Sequence, residues 1–230
     1  MGKVYAVKQG RKVGIYHTWD ACQEQTKGYS GAEFKSFATE DEANVWLYGG
    51  IPDGLALKKP KTFDGYIEKN YNNELNISDD ECIAYVDGSY DSKTGYYGFG
   101  CVLLTSTKEF QIGGCDNIRY LASMQNISGE LLGAMVAVDY AKKLGKKKIT
   151  IYHDLEGTEK WANCKWRRNK SGTIQYEDYI ANSRLVLDID FVWVKGHAGI
   201  MYNEAADDLA RQSIQNKIKL DSRKYFGGED

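Results

Sequence analysis

Between Gly49 and Asp80 the chain keeps no sustained periodicity, and this stretch holds both of its prolines, Pro52 and Pro60. A polar Asn/Asp/Glu/Ser segment of this kind has no apolar face to bury, so it reads as a flexible linker. The periodic blocks on either side must therefore build separate cores. Residues 1–48 form one block, near the lower size limit for an independent core, and residues 81–217 form the other, with residues 218–230 as a C-terminal tail.

The first block reads as a small α+β unit. Val4–Val7 and Val13–Tyr16 have strand character around a turn at Gly10–Lys12, and Thr18 or Asp20 can cap a helix over Trp19–Thr26 that Gly28 ends. Phe34–Phe37 is a short edge strand, and Thr39–Glu42 has the form of a capping box opening a helix through Leu47. The second block opens with three strands, Ile83–Asp87, Tyr97–Leu104 and Glu109–Cys115, which suggest an antiparallel meander. Leu131, Leu132, Met135, Val136, Val138 and Ala141 then recur at helical spacing over Ser128–Lys143. Strands at Ile149–Tyr152 and Asp190–Val194 alternate with helices at Glu156–Asn163, Ile174–Leu185 and Asn203–Ile214. This order predicts an α/β domain with a mixed, five-stranded sheet and helices on both faces.

Several function classes drop out early. No apolar run approaches the roughly 18 residues a membrane span needs, and the N-terminus lacks the apolar centre of a signal peptide. The five cysteines, Cys22, Cys82, Cys101, Cys115 and Cys164, are odd in number and form no C-x-x-C pair, which predicts reduced thiols in a cytoplasmic protein. A net charge of −2 does not announce a nucleic-acid binder, but its distribution is uneven. Lys142–Lys170 holds ten basic residues against three acidic, and Met1–Ala38 six against three. Two such faces could bind phosphate, or could be ordinary solvated lysine.

Four acids stand at distinctive places. Asp87 ends the first strand of the large block in Y-V-D-G-S, Glu130 lies in the first turn of the long helix, Asp154 follows the next strand, and Asp207 sits in the last helix. Hydrolysis of a phosphodiester with two metals needs oxygen ligands converging on cations about 3.5–4 Å apart. Carboxylates are the ligands magnesium prefers, and a sheet's carboxyl edge is where such groups gather. Taken singly, each acid is more simply surface charge; Glu130 could favour its helix N-terminus and Asp154 could cap the following helix. Four acids at element ends weaken that account without deciding the matter.

Residues Glu81–Gln215 resemble the type 1 ribonuclease H domain, through D-G-S at Asp87–Ser89, the glutamate of the long helix, the aspartate after the next strand, and W-V-K-G-H-A-G-I-M-Y-N-E-A-A-D-D-L-A over Trp193–Ala210. The resemblance implies a ribonuclease H-like fold and endonucleolytic hydrolysis of the RNA strand of RNA–DNA hybrids, leaving 5′-phosphate and 3′-hydroxyl ends. It carries the metal-binding acids onto Asp87, Glu130, Asp154 and Asp207, with two magnesium ions as cofactors and manganese as an alternative. His197, between Gly196 and Gly199, matches a histidine that assists proton transfer or product release, a task suited to imidazole. Asn126 takes the place of the family's 2′-hydroxyl reader, with Gly88 and Ser89 as further contacts to the RNA strand; Ile127 stands where the family commonly has Asn or Gln. Trp161, Lys165, Trp166, Arg167 and Arg168 fall near the family's DNA-contacting handle, although Trp161 is equally explained as core. His153 matches no family role and reads as structural or incidental.

The N-terminal block resembles the hybrid-binding, or caulimovirus viroplasmin-like, domain, through Y-A-V-K-Q-G-R-K-V-G-I-Y, T-W-D-A-C and F-K-S-F-A-T-E-D-E-A. Trp19 matches the aromatic that packs against DNA sugars and Lys35 a phosphate-contacting lysine, while Ser36 replaces a frequent second lysine. A monomer acting on RNA–DNA hybrid is expected, with double-stranded RNA as a possible second ligand of the N-terminal domain and no membrane partner. The rival readings are a non-catalytic hybrid or double-stranded RNA binding protein, and a nuclease of the wider superfamily acting on DNA junctions or double-stranded RNA.

Overall fold

The computed structural model describes residues 3–40, 43, 46, 47 and 64–227. By backbone proximity the chain divides into two compact units, Met1–Lys58 with Gly196–Glu204, and Lys59–Lys195 with Ala205–Asp230.

In the first unit, β1 (Val4–Gln9) pairs antiparallel with both β2 (Gly14–Tyr16) and β3 (Glu33–Phe37), giving the order β2-β1-β3. Helix α1 (Trp19–Thr26) starts at Thr18, whose hydroxyl accepts the Ala21 N–H at 3.3 Å. Arg11 closes the other end, donating from Nη1 to the carbonyls of Glu24 and Lys27 at 2.9 Å each. A cation at that terminus also opposes the helix dipole. Ala6, Val7, Cys22, Ala43 and Leu47 are buried. The helix expected from the capping box falls largely outside the described residues; Glu40, Ala43, Trp46 and Leu47 are helical.

Among the described residues the second unit has a six-stranded mixed sheet in the order β4-β7-β6-β5-β8-β9. The strands are β4 (Tyr66–Asn70), β5 (Glu81–Asp91), β6 (Tyr96–Leu104), β7 (Lys108–Asp116), β8 (Lys148–His153) and β9 (Asp188–Trp193). The β5–β8 and β8–β9 pairs are parallel and the others antiparallel. The helices are α2 (Arg119–Ala122), α3 (Asn126–Lys143), α4 (Glu156–Ala162), α5 (Ser171–Ser183), α6 (Met201–Gln215), which belongs to this unit from Ala205 onward, and α7 (Arg223–Phe226). The core joins Val86, Phe99, Cys101 and Leu103 of the sheet to Leu131, Leu132 and Met135 of α3.

Three expectations need correction. The sheet has a sixth strand, β4, inside the segment read as linker. Its alternate residues are only half-buried, and ion pairs from Lys69 to Glu109 (2.8 Å) and Lys108 to Glu68 (3.2 Å) replace apolar pairs across β4–β7. Charge suits an edge strand but erases the apolar alternation by which strands are read. The C-terminal tail is also folded as far as Gly227. Cys115 N–H donates to Ile218 O at 2.7 Å, Leu220 N–H donates to Cys115 O at 3.0 Å, and Phe226 is buried. Finally, α3 begins at Asn126, so Glu130 lies in its second turn rather than its first.

All five cysteines carry free thiols, four buried and Cys164 exposed. No described helix is long and apolar enough to cross a membrane.

Candidate active site

Parallel pairing of β5 with β8 sets Tyr85 opposite Tyr152. β8 stops at His153 while β5 runs on to Asp91, so Asp87 lies within its strand, beside the edge where β8 ends, rather than at the strand's end as expected. Asp87 lies two residues beyond Tyr85 and Asp154 two beyond Tyr152. Glu130 reaches the same edge because α3 lies almost against the backbone of β5. A Cβ on Gly88 would stand 2.3 Å from Asn126 O and 2.4 Å from Glu130 N, so only glycine allows this approach. Strand alternation turns Asp87 away from the face of Gly88. Gly100, opposite Asp87 in register, in turn meets α6: a Cβ there would lie 1.9 Å from Ala206 O.

The outcome is that Asp87, Glu130 and Asp154 each offer a carboxylate oxygen, and the three oxygens lie within 4.8 Å of one another. Asp87 and Glu130 are buried, at 8% and 1% exposure. Burial, then the charges of Asp154 and Asp207, push the Asp87 carboxyl up to about 8, against the Gly88 N–H at 2.6 Å and the Arg211 guanidinium. Burial, then Asp154 and Asp87, also drive the Glu130 carboxyl well above its ordinary range, opposed by the Leu155 N–H at 3.1 Å and the Thr158 hydroxyl at 3.0 Å. Buried carboxylates this close repel one another unless they share protons or a cation. An all-oxygen donor set of this kind fits a hard divalent ion.

The Asp154 turn is fixed from several sides. Trp193 Nε1 donates to Asp154 O at 3.1 Å. His153 is fully buried with Nδ1 3.0 Å from Leu155 O, and burial pushes its imidazole down to about 4. It is a neutral staple for the turn, in keeping with a structural reading. Asp154 does not cap α4, whose N-cap is Leu155.

Asp207 lies in α6, close enough for its charge to raise Asp87, and its Oδ2 accepts Arg211 Nη1 at 2.5 Å. His197 lies in the exposed loop ahead of α6 with a left-handed backbone, φ 53°. Asn126 is exposed at the first position of α3, directly after Gln125, whose φ of 58° and ψ of −133° are conformations usually left to glycine. Ser89 is half-buried and lines a cleft of about 340 Å³ with Tyr90, Tyr96, Arg211 and Lys217. In the proposed handle, Lys165 pairs with Glu159 (3.3 Å) and Arg168 with Glu177 (3.2 Å) and Asp178 (2.8 Å), so part of its positive charge is held by acids of this chain.

In the first unit Trp19 is 42% exposed, and its ring lies 5.5 Å from that of Tyr5 and 5.8 Å from that of Phe34, itself 42% exposed. Lys35 is exposed with Nζ 5.4 Å from the Phe37 ring. Tyr5 and Phe34 escaped the sequence reading, although each sits on a strand already assigned. Arg211 escaped it too, although four residues after Asp207 is ion-pair spacing on a helix. Thr158 left no signal, because its partner Glu130 lies on another element.

The chain is similar to known proteins over most of its length. A family model described as RNase H matches residues 79–215, and one described as Ribonuclease H1 N-terminal domain matches residues 3–47. Ribonuclease H1 of Homo sapiens is 29% identical over 269 residues, spanning 93% of this chain and 90% of that protein. Ribonuclease H of Crithidia fasciculata is 49% identical over 61 residues, 26% of this chain and 12% of that one. Among solved structures, the N-terminal RNase H domain of rv2228c from Mycobacterium tuberculosis, a fusion with maltose binding protein, aligns with a TM-score of 0.51 at 19% identity, covering 60% of this chain and 95% of that one. That last likeness is one of fold.

Proposed function

The chain belongs to the ribonuclease H family of enzymes, with the N-terminal domain of ribonucleases H1 ahead of the catalytic one, and from that premise we propose that it cuts the RNA strand of RNA–DNA hybrids, leaving 5′-phosphate and 3′-hydroxyl ends. The observation that carries this reading is the meeting of Asp87, Glu130 and Asp154 with their carboxylate oxygens within 4.8 Å.

Asp87, Glu130, Asp154 and Asp207 would hold two divalent ions, magnesium or manganese. When bound, these supply positive charge against the phosphate oxygens of the scissile bond. The chain's own groups do the rest. Asn126, exposed at the start of α3, offers an amide able to donate to or accept from a ribose 2′-hydroxyl, the group that distinguishes RNA from DNA. Ser89 contributes a hydroxyl beside the RNA strand. Gly88 lets α3 approach, so its part is to set the distance between Asp87 and Glu130 as well as to leave room for the RNA backbone. His197 transfers a proton or helps the product leave, tasks suited to an imidazole in an exposed loop.

The N-terminal domain holds hybrid through the exposed Trp19 with Tyr5 and Phe34 against sugar rings, and Lys35 against phosphate; double-stranded RNA is a second ligand of the same surface. Tethering this domain to the catalytic one raises the local concentration of substrate. The protein acts as a monomer in the cytoplasm.

Replacing Asp154 by Asn is the direct test. It removes a ligand charge at a half-buried position while preserving shape, so cleavage should be abolished and hybrid affinity kept, because most of the binding comes from phosphate and sugar contacts elsewhere. Paired cleavage and anisotropy measurements on one labelled hybrid read both. Retained cleavage in Asp154→Asn would remove the active-site assignment.

A further inference from the structure

Glu130 is held from one side only. Its Oε1 accepts both the Leu155 N–H, at 3.1 Å, and the Thr158 hydroxyl, at 3.0 Å, while no hydrogen bond to Oε2 is found among the described residues. A carboxylate gripped by one oxygen keeps the lone pairs of the other for a different partner. Both donors follow Asp154 closely in the chain, Leu155 at the N-cap of α4 and Thr158 in its first turn.

Thr158 is itself fixed. It is completely buried, its N–H donates to Leu155 O at 3.0 Å, and its carbonyl accepts the hydroxyl of Tyr176, fully buried on α5, at 3.0 Å. The Leu155 carbonyl is met again by His153 Nδ1 at 3.0 Å. A hydroxyl in this setting cannot swing to water, and donation to a buried carboxylate favours its charged form. Hydrogen bonds behind a metal ligand orient it and typically change metal affinity by about 10–100-fold.

The geometry points to Thr158 as a positioning residue of the cation site: braced by Tyr176, its hydroxyl holds Glu130 Oε1 so that Oε2 is presented in one orientation to a divalent ion. This rests on the reading of Glu130 as a metal ligand. Thr158 touches neither substrate nor ion; it acts through Glu130.

The experiment is calorimetric titration of the full chain with Mn2+ in the absence of nucleic acid, alongside melting curves and the hybrid's KM. Thr158→Val keeps the volume and removes the donor; Thr158→Ser keeps the donor. The expected result is Mn2+ binding weakened about tenfold in Thr158→Val, recovered by Thr158→Ser, with KM for hybrid unchanged. Thr158→Ala reads the same loss if the Val variant does not fold. Unchanged binding in Thr158→Val, or equal losses in the Val and Ser variants, would overturn the inference, since the hydroxyl would then not matter. Glu130→Gln separates the two layers of the argument. If it binds Mn2+ as the parent does, the ligand reading itself fails. If it binds weakly while Thr158→Val binds normally, only the role of Thr158 falls. In the Glu130→Gln background Thr158→Val should have no further effect on binding, as a double-mutant cycle requires of two residues acting together.

Discussion

At the scale of single residues, the acidic cluster of Asp87, Glu130 and Asp154 is where buried like charges oppose stability. Burial and the neighbouring charges raise the Asp87 carboxyl to about 8. With the folded value above the ordinary one, the group's contribution is fully present at acid pH and is lost as pH rises from about 4 through about 8. Metal-free protein should therefore melt at a falling temperature over that range. Asp87→Asn should flatten this slope and stabilise metal-free protein near pH 8 by about 2 kcal/mol, a modest share of what relief of a buried like-charge cluster can yield. A melting series across pH with and without the substitution decides; an unchanged slope would mean that Asp87 is not the group responsible. The same proton must leave when a cation enters, so cation binding at pH 7 should release protons, measurable by calorimetry in buffers of different ionisation enthalpy. These acids were legible in the sequence because each sits in a local motif. Thr158, Tyr5 and Phe34 were not, because what gives them meaning is a partner brought near only by folding.

At the scale of elements, the site depends on two helices lying closer to the sheet than side chains ordinarily permit. Gly88 admits α3 and Gly100 admits α6. Gly100→Ala would force its Cβ to within 1.9 Å of Ala206 O, which neither backbone can absorb without separating. Overpacking of this kind should cost about 3 kcal/mol, read by urea denaturation, and should move Asp207 away from Asp87. A neutral Gly100→Ala would contradict the close packing of α6. Interior elements were readable in advance, since β5–β9 and α3–α6 bury apolar faces with a plain period. β4 and the segment after Lys217 were not. β4 is tied to β7 by the Lys69–Glu109 and Lys108–Glu68 pairs. The C-terminal segment is anchored by Ser222, whose N–H and hydroxyl both donate to Asp116 Oδ2, at 2.9 and 2.6 Å, and by Phe226. Polar pairing and single anchors leave no periodic trace in a sequence. The start of α3 is illegible for a related reason: Asn126 and Ile127 carry no periodic signal, and the unusual backbone at Gln125 that launches the helix has no side-chain signature.

At the scale of the whole molecule, the proposed division of labour between a binding domain and a cutting domain makes separable predictions. Trp19 is exposed beside Tyr5 and Phe34, so Trp19→Ala should weaken hybrid binding about tenfold, as loss of one aromatic platform does. It should leave kcat at saturating hybrid unchanged, because no catalytic group is altered. A fall in kcat with unchanged affinity would reverse the roles assigned to the two domains. Residue order suggests two cores flanking an aperiodic stretch, because periodicity begins and ends with each core, but β4 (Tyr66–Asn70) lies inside that stretch and left no such trace. The central claim is that the carboxylates of the larger unit make a cation-dependent cutter of RNA paired with DNA. Its most direct test is cleavage of an end-labelled RNA–DNA hybrid with and without magnesium, beside all-DNA and all-RNA duplexes of the same sequence. Magnesium-dependent cutting of the hybrid's RNA strand alone is the predicted result; tight binding without cutting, or equal cutting of the DNA duplex, would contradict it.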